Sequence, residues 1–161
     1  MIETEYDVIV AGYGPVGETC ANLLGYYGIK ALVLDREKNA YPLPRAITWD
    51  AECQRAMSHC EFLSEVKTRK IRGVDNKDAN KKSIMKITME GFDTYNYQHR
   101  ILFIHQPQFD EAHRENAKKY STNIIKTGSE LLAVDEINGV VNCTYKDIET
   151  NEQFKVTSKY L

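Results

Sequence analysis

The stretch Gly12-Tyr13-Gly14-Pro15-Val16-Gly17 follows directly on the apolar run Val8-Ile9-Val10, and Asp35 closes a second apolar run further along. Glycine at 12 permits a tight turn out of a strand. Glycine at 14 lets the backbone approach a diphosphate without a Cβ in the way, and glycine at 17 lets the next helix pack closely on the strand. The diphosphate would then lie at a helix N-terminus, where free N–H groups and the helix dipole favour an anion. The Asp35 carboxylate can accept hydrogen bonds from ribose hydroxyls and would repel a 2′-phosphate. These residue types in this order predict a site for an ADP moiety. A tight glycine turn with no ligand is the competing reading. Glu18 adds a negative charge beside the turn, and one residue past Gly17 it is expected to point to solvent.

The elements that must position these residues are legible. Residues 6–11 read as a buried strand, an apolar run with β-branched members. Pro15 suits the first turn of a helix. Over residues 16–27 the apolar positions Val16, Cys20, Leu23, Leu24 and Tyr27 recur at helical spacing. Gly28 stops that helix and residues 30–34 form a second strand, so the unit is βαβ with parallel strands. Residues 39–45 form a loop punctuated by Pro42 and Pro44, and 48–66 is helical with Thr48 or Asp50 as its cap.

The charged stretch KTRKIRGVDNKDANKK reads as an exposed loop, with an anion-binding patch as the alternative. Residues 83–89 alternate as a half-exposed strand, 100–105 form another strand, and 108–119 form a helix approached through Pro107. Four strand-like runs follow at 122–126, 130–137, 140–147 and 154–161, with Asn138-Gly139 a hairpin signal. His105 reads as a packed strand-end residue. Trp49 and the tyrosine-rich stretches read as core and surface aromatics.

Composition narrows the class of function. The chain has 161 residues, 42% of them hydrophobic and 27% charged, as expected of a soluble globular domain. A net charge of −2 carries no signature for nucleic acid, and no apolar run is long enough to span a bilayer. The four cysteines (Cys20, Cys53, Cys60, Cys143) form no CxxC pair and read as free thiols in a reducing, cytoplasmic compartment. The histidines lack metal-ligand spacing, so no metal site is expected.

Beyond Asp35 the chain continues as NAYPLPRAITWDAECQRAM and later as RILFIHQPQFDEAHRE. With the glycine turn and VLDRE, these phrases resemble the N-terminal portion of the class A FAD-dependent aromatic hydroxylases, nearest in wording to the 3-(3-hydroxyphenyl)propionate and phenol hydroxylase branch. The resemblance implies an α/β fold, a Rossmann-like FAD-binding domain of the glutathione-reductase type with a parallel sheet plus an antiparallel β-meander. Gly12, Gly14, Pro15 and Gly17 match the family's pyrophosphate turn. Asp35 stands where the family usually has Glu on the adenosine ribose, and Arg36 could lie against the adenosine. Arg45 of the PRA phrase matches an arginine near the flavin nucleotide's phosphate and ribose, with a solvated loop arginine as the alternative. Gln106 of HQP matches a glutamine on the ribityl-pyrophosphate, with a helix-start contact as the alternative. Leu131 matches an apolar position whose backbone contacts the adenine.

For the intact protein the resemblance implies FAD as cofactor, NADH or NADPH as transient electron donor, and a small aromatic, phenolic substrate, with neither nucleic acid nor membrane as partner. Another FAD-dependent oxidoreductase and a truncated, non-catalytic nucleotide-binding or interaction domain stay open. Residues 70–98 are expected to leave the core as an excursion toward a substrate domain. The family's second flavin motif is not matched within the 161 residues, and no catalytic residue is assigned. The chain alone is therefore expected to hold flavin poorly, to be inactive and to self-associate through an exposed sheet edge.

Overall fold

The computed structural model of the chain describes residues 5–43, 45, 48–59, 66–89 and 101–161. Strand β1 (Tyr6–Ala11) leads through the glycine turn into helix α1 (Pro15–Tyr26), which is followed by β2 (Ala31–Asp35). Later come β3 (Thr48–Asp50), α2 (Ala51–Ala56), β4 (Thr68–Lys70), β5 (Gly73–Lys77), β6 (Ser83–Thr88), β7 (Ile101–Ile104) and α3 (Gln106–Lys118). The chain closes with β8 (Asn123–Thr127), β9 (Ser129–Ile137), β10 (Val140–Asp147) and β11 (Gln153–Tyr160). Several sequence expectations fall on Pro44, Ala46, Cys60, residues 61–65 of the long helix and residues 90–100, including the aromatics of DTYNYQH. All of these lie outside the described residues.

A six-stranded sheet with the order β8-β2-β1-β11-β10-β9 organises the molecule. Its first four strands run parallel and β11, β10 and β9 form an antiparallel meander, so the expected α/β architecture is found. Strand β2 is buried on both faces, with Ala31, Leu32, Val33 and Leu34 all at or below 1% exposure, as a continuous apolar run in a parallel sheet requires. Ile9, Leu32 and Leu34 pack with Val141, Cys143, Tyr145 and Val156 of the meander. Val33, Ala21, Ala117 and Tyr13 form a second cluster, with Val10 partly buried against it. Asn138 and Gly139, both at positive φ (53° and 75°), turn β9 into β10 as the sequence signal required.

Three expectations about local structure are corrected. Residues 48–50 are a strand that pairs antiparallel with β7, Trp49 opposite Leu102. The helix begins only at Ala51, capped by Asp50, whose Oδ1 accepts the Cys53 N–H at 2.8 Å. The charged stretch is a loop only in part, because β4 and β5 form within it. Among the described residues the 83–89 segment pairs only with β5, and all its strand residues are exposed, so it is a solvated hairpin instead of a half-exposed strand.

Helix α1 turns a different face inward from the one its apolar spacing indicates. Its buried residues are Glu18, Ala21, Asn22 and Gly25, whereas Val16 is 85% and Tyr27 65% exposed. The reason is close packing. Gly17, Ala21 and Gly25 form a stripe of small residues, and a Cβ on Gly25 would lie 2.5 Å from the Tyr120 ring. Alongside Ala21 and Ala117, the α1–α3 contact carries buried polar groups. Asn22 Nδ2 donates to the His113 carbonyl at 3.0 Å, and Asn116 Nδ2 donates to Asn22 Oδ1 at 2.7 Å. Asn123 Nδ2 donates to the carbonyls of Ala21 and Ala117 at 3.0 and 2.9 Å.

Candidate functional site: the glycine turn and its surroundings

The three glycines occupy the positions their spacing predicts. Gly12 has φ +104°, a conformation that side chains rarely adopt. A Cβ on Gly17 would fall 1.9 Å from the Gly12 carbonyl oxygen, so only glycine lets α1 seat on the turn. Around Gly12 and Gly14 a Cβ would meet no protein atom within 4 Å, which leaves the outer side of the turn open. Gly14 caps α1 without any side-chain hydrogen bond and Pro15 takes the first turn. The helix end thus presents backbone N–H groups and the positive end of its dipole to that open side.

Beside the turn lies a groove of about 350 Å³ lined by Gly12, Leu34, Asp35, Arg36, Ser129 and Leu131, among others. Four of the expected site residues (Gly12, Asp35, Arg36, Leu131) therefore share one groove, although Leu131 comes from the meander and the rest from the βαβ unit. Asp35 is more engaged than a free ribose acceptor. Its Oδ2 accepts the Tyr13 N–H at 2.8 Å, and its Oδ1 accepts the Glu37 N–H at 2.9 Å. Each oxygen keeps a second lone pair for a ribose hydroxyl. Arg36 is exposed, with its Nε 3.3 Å from Glu37.

On the other side, Pro15, Val16, Thr48, Trp49 and Gln106 help to line an apolar cleft of about 510 Å³. Gln106 Oε1 accepts the Arg45 backbone N–H at 2.7 Å, so the two expected flavin-side residues are tied together. The Arg45 guanidinium lies 4.0 Å over the Tyr41 ring. Gln106 Nε2 donates to Asp110 Oδ2 at 3.3 Å, and the amide holds the start of α3 as it faces the cleft. His105 is the N-cap of α3 without a side-chain cap bond. Trp49 is buried, edge-on to Phe109 at 5.1 Å between centroids, a core aromatic as expected.

Glu18 corrects the sequence reading outright. It is fully buried beneath the turn, where Arg114 Nε donates to its Oε1 at 2.7 Å. Arg114 also donates through Nη2 to the Tyr13 carbonyl and lies 3.6 Å from Asp35 Oδ2. Its guanidinium sits 4.7 Å over the Tyr13 ring. Burial pushes the Glu18 carboxyl up to about 8, against the pull of Arg114, and burial pushes the neighbouring His113 down to about 4. Desolvation likewise raises Asp110. Sequence reasoning missed Arg114 because no spacing links it to a partner 96 positions away. The only available signal was a charge, Glu18, set in the small-residue face of a helix.

Similarity to known proteins follows the same outline. The family model described as FAD binding domain matches residues 5–161. The 3-(3-hydroxy-phenyl)propionate/3-hydroxycinnamic acid hydroxylase of Comamonas testosteroni is 27% identical over 161 residues, which cover 99% of this chain and 27% of that protein. Its namesake from Mycolicibacterium gilvum (strain PYR-GCK) is 40% identical over 64 residues, 40% of this chain and 11% of the relative. The crystal structure of p-nitrophenol 4-monooxygenase PnpA from Pseudomonas putida DLL-E4 superimposes with a TM-score of 0.81 at 21% identity, over 98% of this chain and 40% of that one. The chain thus spans about a quarter of the length of the Comamonas relative. Among the described residues no helix is long and apolar enough to cross a membrane. The chain belongs to the FAD binding domain family, and its likeness is to the N-terminal portion of class A FAD-dependent aromatic hydroxylases.

Proposed function

We propose that the chain is the FAD-binding portion of an NAD(P)H-dependent monooxygenase that hydroxylates a small phenolic substrate in the cytoplasm. The observation that carries the reading is the open glycine turn, with Asp35, Arg36 and Leu131 around one groove and Gln106 and Arg45 beyond the helix end. The Gly14 backbone and the first turn of α1 would bind the diphosphate. Asp35 would hold the adenosine ribose, and Arg36 and the Leu131 backbone would border the adenine. Gln106 and Arg45 would lie toward the flavin half, along the cleft that Pro15 and Trp49 also line. FAD held there would supply the redox chemistry of the reaction. The protein's contribution is to bind, orient and exclude water. The β5–β6 hairpin belongs to an excursion, residues 70–98, that would reach toward a substrate domain.

Two titrations test this. Calorimetry with ADP should show saturable one-to-one binding to the chain. NAD(P)H consumption by the protein that carries this domain should rise with added phenols. Absence of ADP binding would overturn the cofactor site. ADP binding without phenol-dependent turnover would leave a flavoprotein of another reaction type.

A further inference from the structure

Tyr13 occupies the middle of the glycine turn, and its peptide groups are gripped from two directions. Its N–H donates to Asp35 Oδ2 at 2.8 Å, and its carbonyl accepts from Arg114 Nη2. The Tyr13 hydroxyl also donates to the Arg114 carbonyl at 3.3 Å, so ring, carbonyl and hydroxyl are all fastened to α3. The described peptide bonds are all trans, and in a planar trans peptide the C=O and N–H point in opposite directions. Arg114 draws the Tyr13 carbonyl inward. The Gly14 N–H of the same peptide therefore points outward, to the side where a Cβ on Gly14 would meet nothing within 4 Å.

Arg114 comes from α3, a hundred residues from the turn, and is itself held by the buried Glu18 carboxyl at 2.7 Å. We infer that Arg114 is a positioning residue for the cofactor, aiming the Gly14 N–H at the diphosphate, with Glu18 as the anchor that fixes Arg114. An arginine serves both acceptors at once, because its fork places Nε on Glu18 and Nη2 on the Tyr13 carbonyl, while the Asp35 carboxylate 3.6 Å away is a charge neighbour. The same guanidinium offsets the Asp35 charge that would otherwise face the phosphates.

The inference rests on the ADP reading of the turn, and its test separates the two. The probe is ADP, measured by calorimetry and by phosphorus NMR of the bound nucleotide, with thermal unfolding in parallel. The variant is Glu18→Gln/Arg114→Met, which removes the buried carboxyl and its guanidinium partner together and keeps the side-chain volumes close. Loss of the oriented Gly14 N–H should weaken ADP binding about tenfold or more and move the bound diphosphate resonances, while the unfolding temperature stays near that of the unsubstituted chain. Wild-type affinity and unchanged resonances in the double variant would reduce Arg114 to a structural ion pair and overturn the inference alone. Failure of the unsubstituted chain to bind ADP would overturn the cofactor reading and the inference with it. If the double variant does not fold, Arg114→Lys decides: lysine keeps a positive charge beside Glu18 but lacks the fork that bonds Glu18 and the Tyr13 carbonyl together, so weaker ADP binding supports the inference and wild-type binding overturns it.

Discussion

Strand β2 and the β5–β6 hairpin are both made of strand-forming sequence, yet they stand at opposite limits of burial. Leu32 and Val33 are at 0% exposure, enclosed by β1, β8, the helices and the returning meander. In the hairpin Val74, Met85 and Ile87 share one face and remain 37%, 49% and 38% exposed, while Ile84 on the other face is 71% exposed. A two-stranded hairpin is marginal in water on its own. The stability of this chain therefore resides in the sheet that carries the glycine turn, and the hairpin contributes a surface. The glycine turn is built on the first region and not the second.

Gly17→Ala should break the first region most severely. The new methyl would sit 1.9 Å from the Gly12 carbonyl oxygen, a backbone atom that cannot rotate away. Either α1 lifts from the turn or the turn opens, at a cost of about 3 kcal/mol or more. Chemical denaturation reads the loss, and ADP calorimetry should show binding lost with it.

The buried cluster gives the sheet region a pH signature. The folded value for His113, about 4, is below its unfolded 6.5, so the unfolded chain takes up a proton that the folded one refuses. Its contribution is complete above 6.5 and is lost as the pH falls through 4. For Glu18 the folded value, about 8, is above the unfolded 4.5, so its contribution is complete below 4.5 and is lost as the pH rises through 8. Between 4.5 and 6.5 the two slopes oppose each other. Replacing His113 with leucine should unmask the Glu18 slope, a fall approaching about 1.4 kcal/mol per pH unit relative to the parent over that window. Glu18→Gln should do the reverse, with stability rising between pH 4.5 and 6.5 relative to the parent. Urea midpoints across the pH range check both. Parallel profiles for all three proteins would exclude the cluster as a source of pH dependence.

The same contrast explains what the sequence revealed. The βαβ unit was legible because continuous apolar runs, a proline at a helix start and three glycines each impose a local constraint. Asp35 was legible as the acid that ends the second strand, whereas Leu131 followed from the resemblance, since nothing in its spacing joins the meander to β2. What stayed hidden was relational. The buried face of α1 is set by how closely α3 approaches, and Gly25 is needed because Tyr120 lies against it. Glu18 read as a solvent-facing charge because its partner Arg114 is in α3. Residues 48–50 read as helix because the strand there exists only through pairing with β7.

Asp35→Ala should weaken ADP binding by about 1–3 kcal/mol, the usual cost of a charge-assisted hydrogen bond. The structure refines that expectation. Asp35 also holds the Tyr13 and Glu37 N–H groups, so the alanine variant should lose some stability as well. Asp35→Asn keeps one acceptor oxygen and should fall between the two. Unchanged ADP affinity in Asp35→Ala would remove this residue from the site.

The smallest effect belongs to the hairpin, and it measures the comparison directly. Leu32→Ala should cost about 2–5 kcal/mol, because a fully buried side chain leaves a cavity. Met85→Lys should change stability by less than about 0.5 kcal/mol, because Met85 is 49% exposed and, among the described residues, its strand pairs only with β5. Both are read from the same denaturant titration at several protein concentrations. A loss of more than about 1.5 kcal/mol for Met85→Lys would mean that the hairpin face is covered in solution. The concentration series then assigns the cover, since a second copy makes the loss concentration-dependent and an intramolecular contact does not. A loss below about 0.5 kcal/mol at every concentration would show that the hairpin face is uncovered in solution and that the chain's stability resides outside the hairpin.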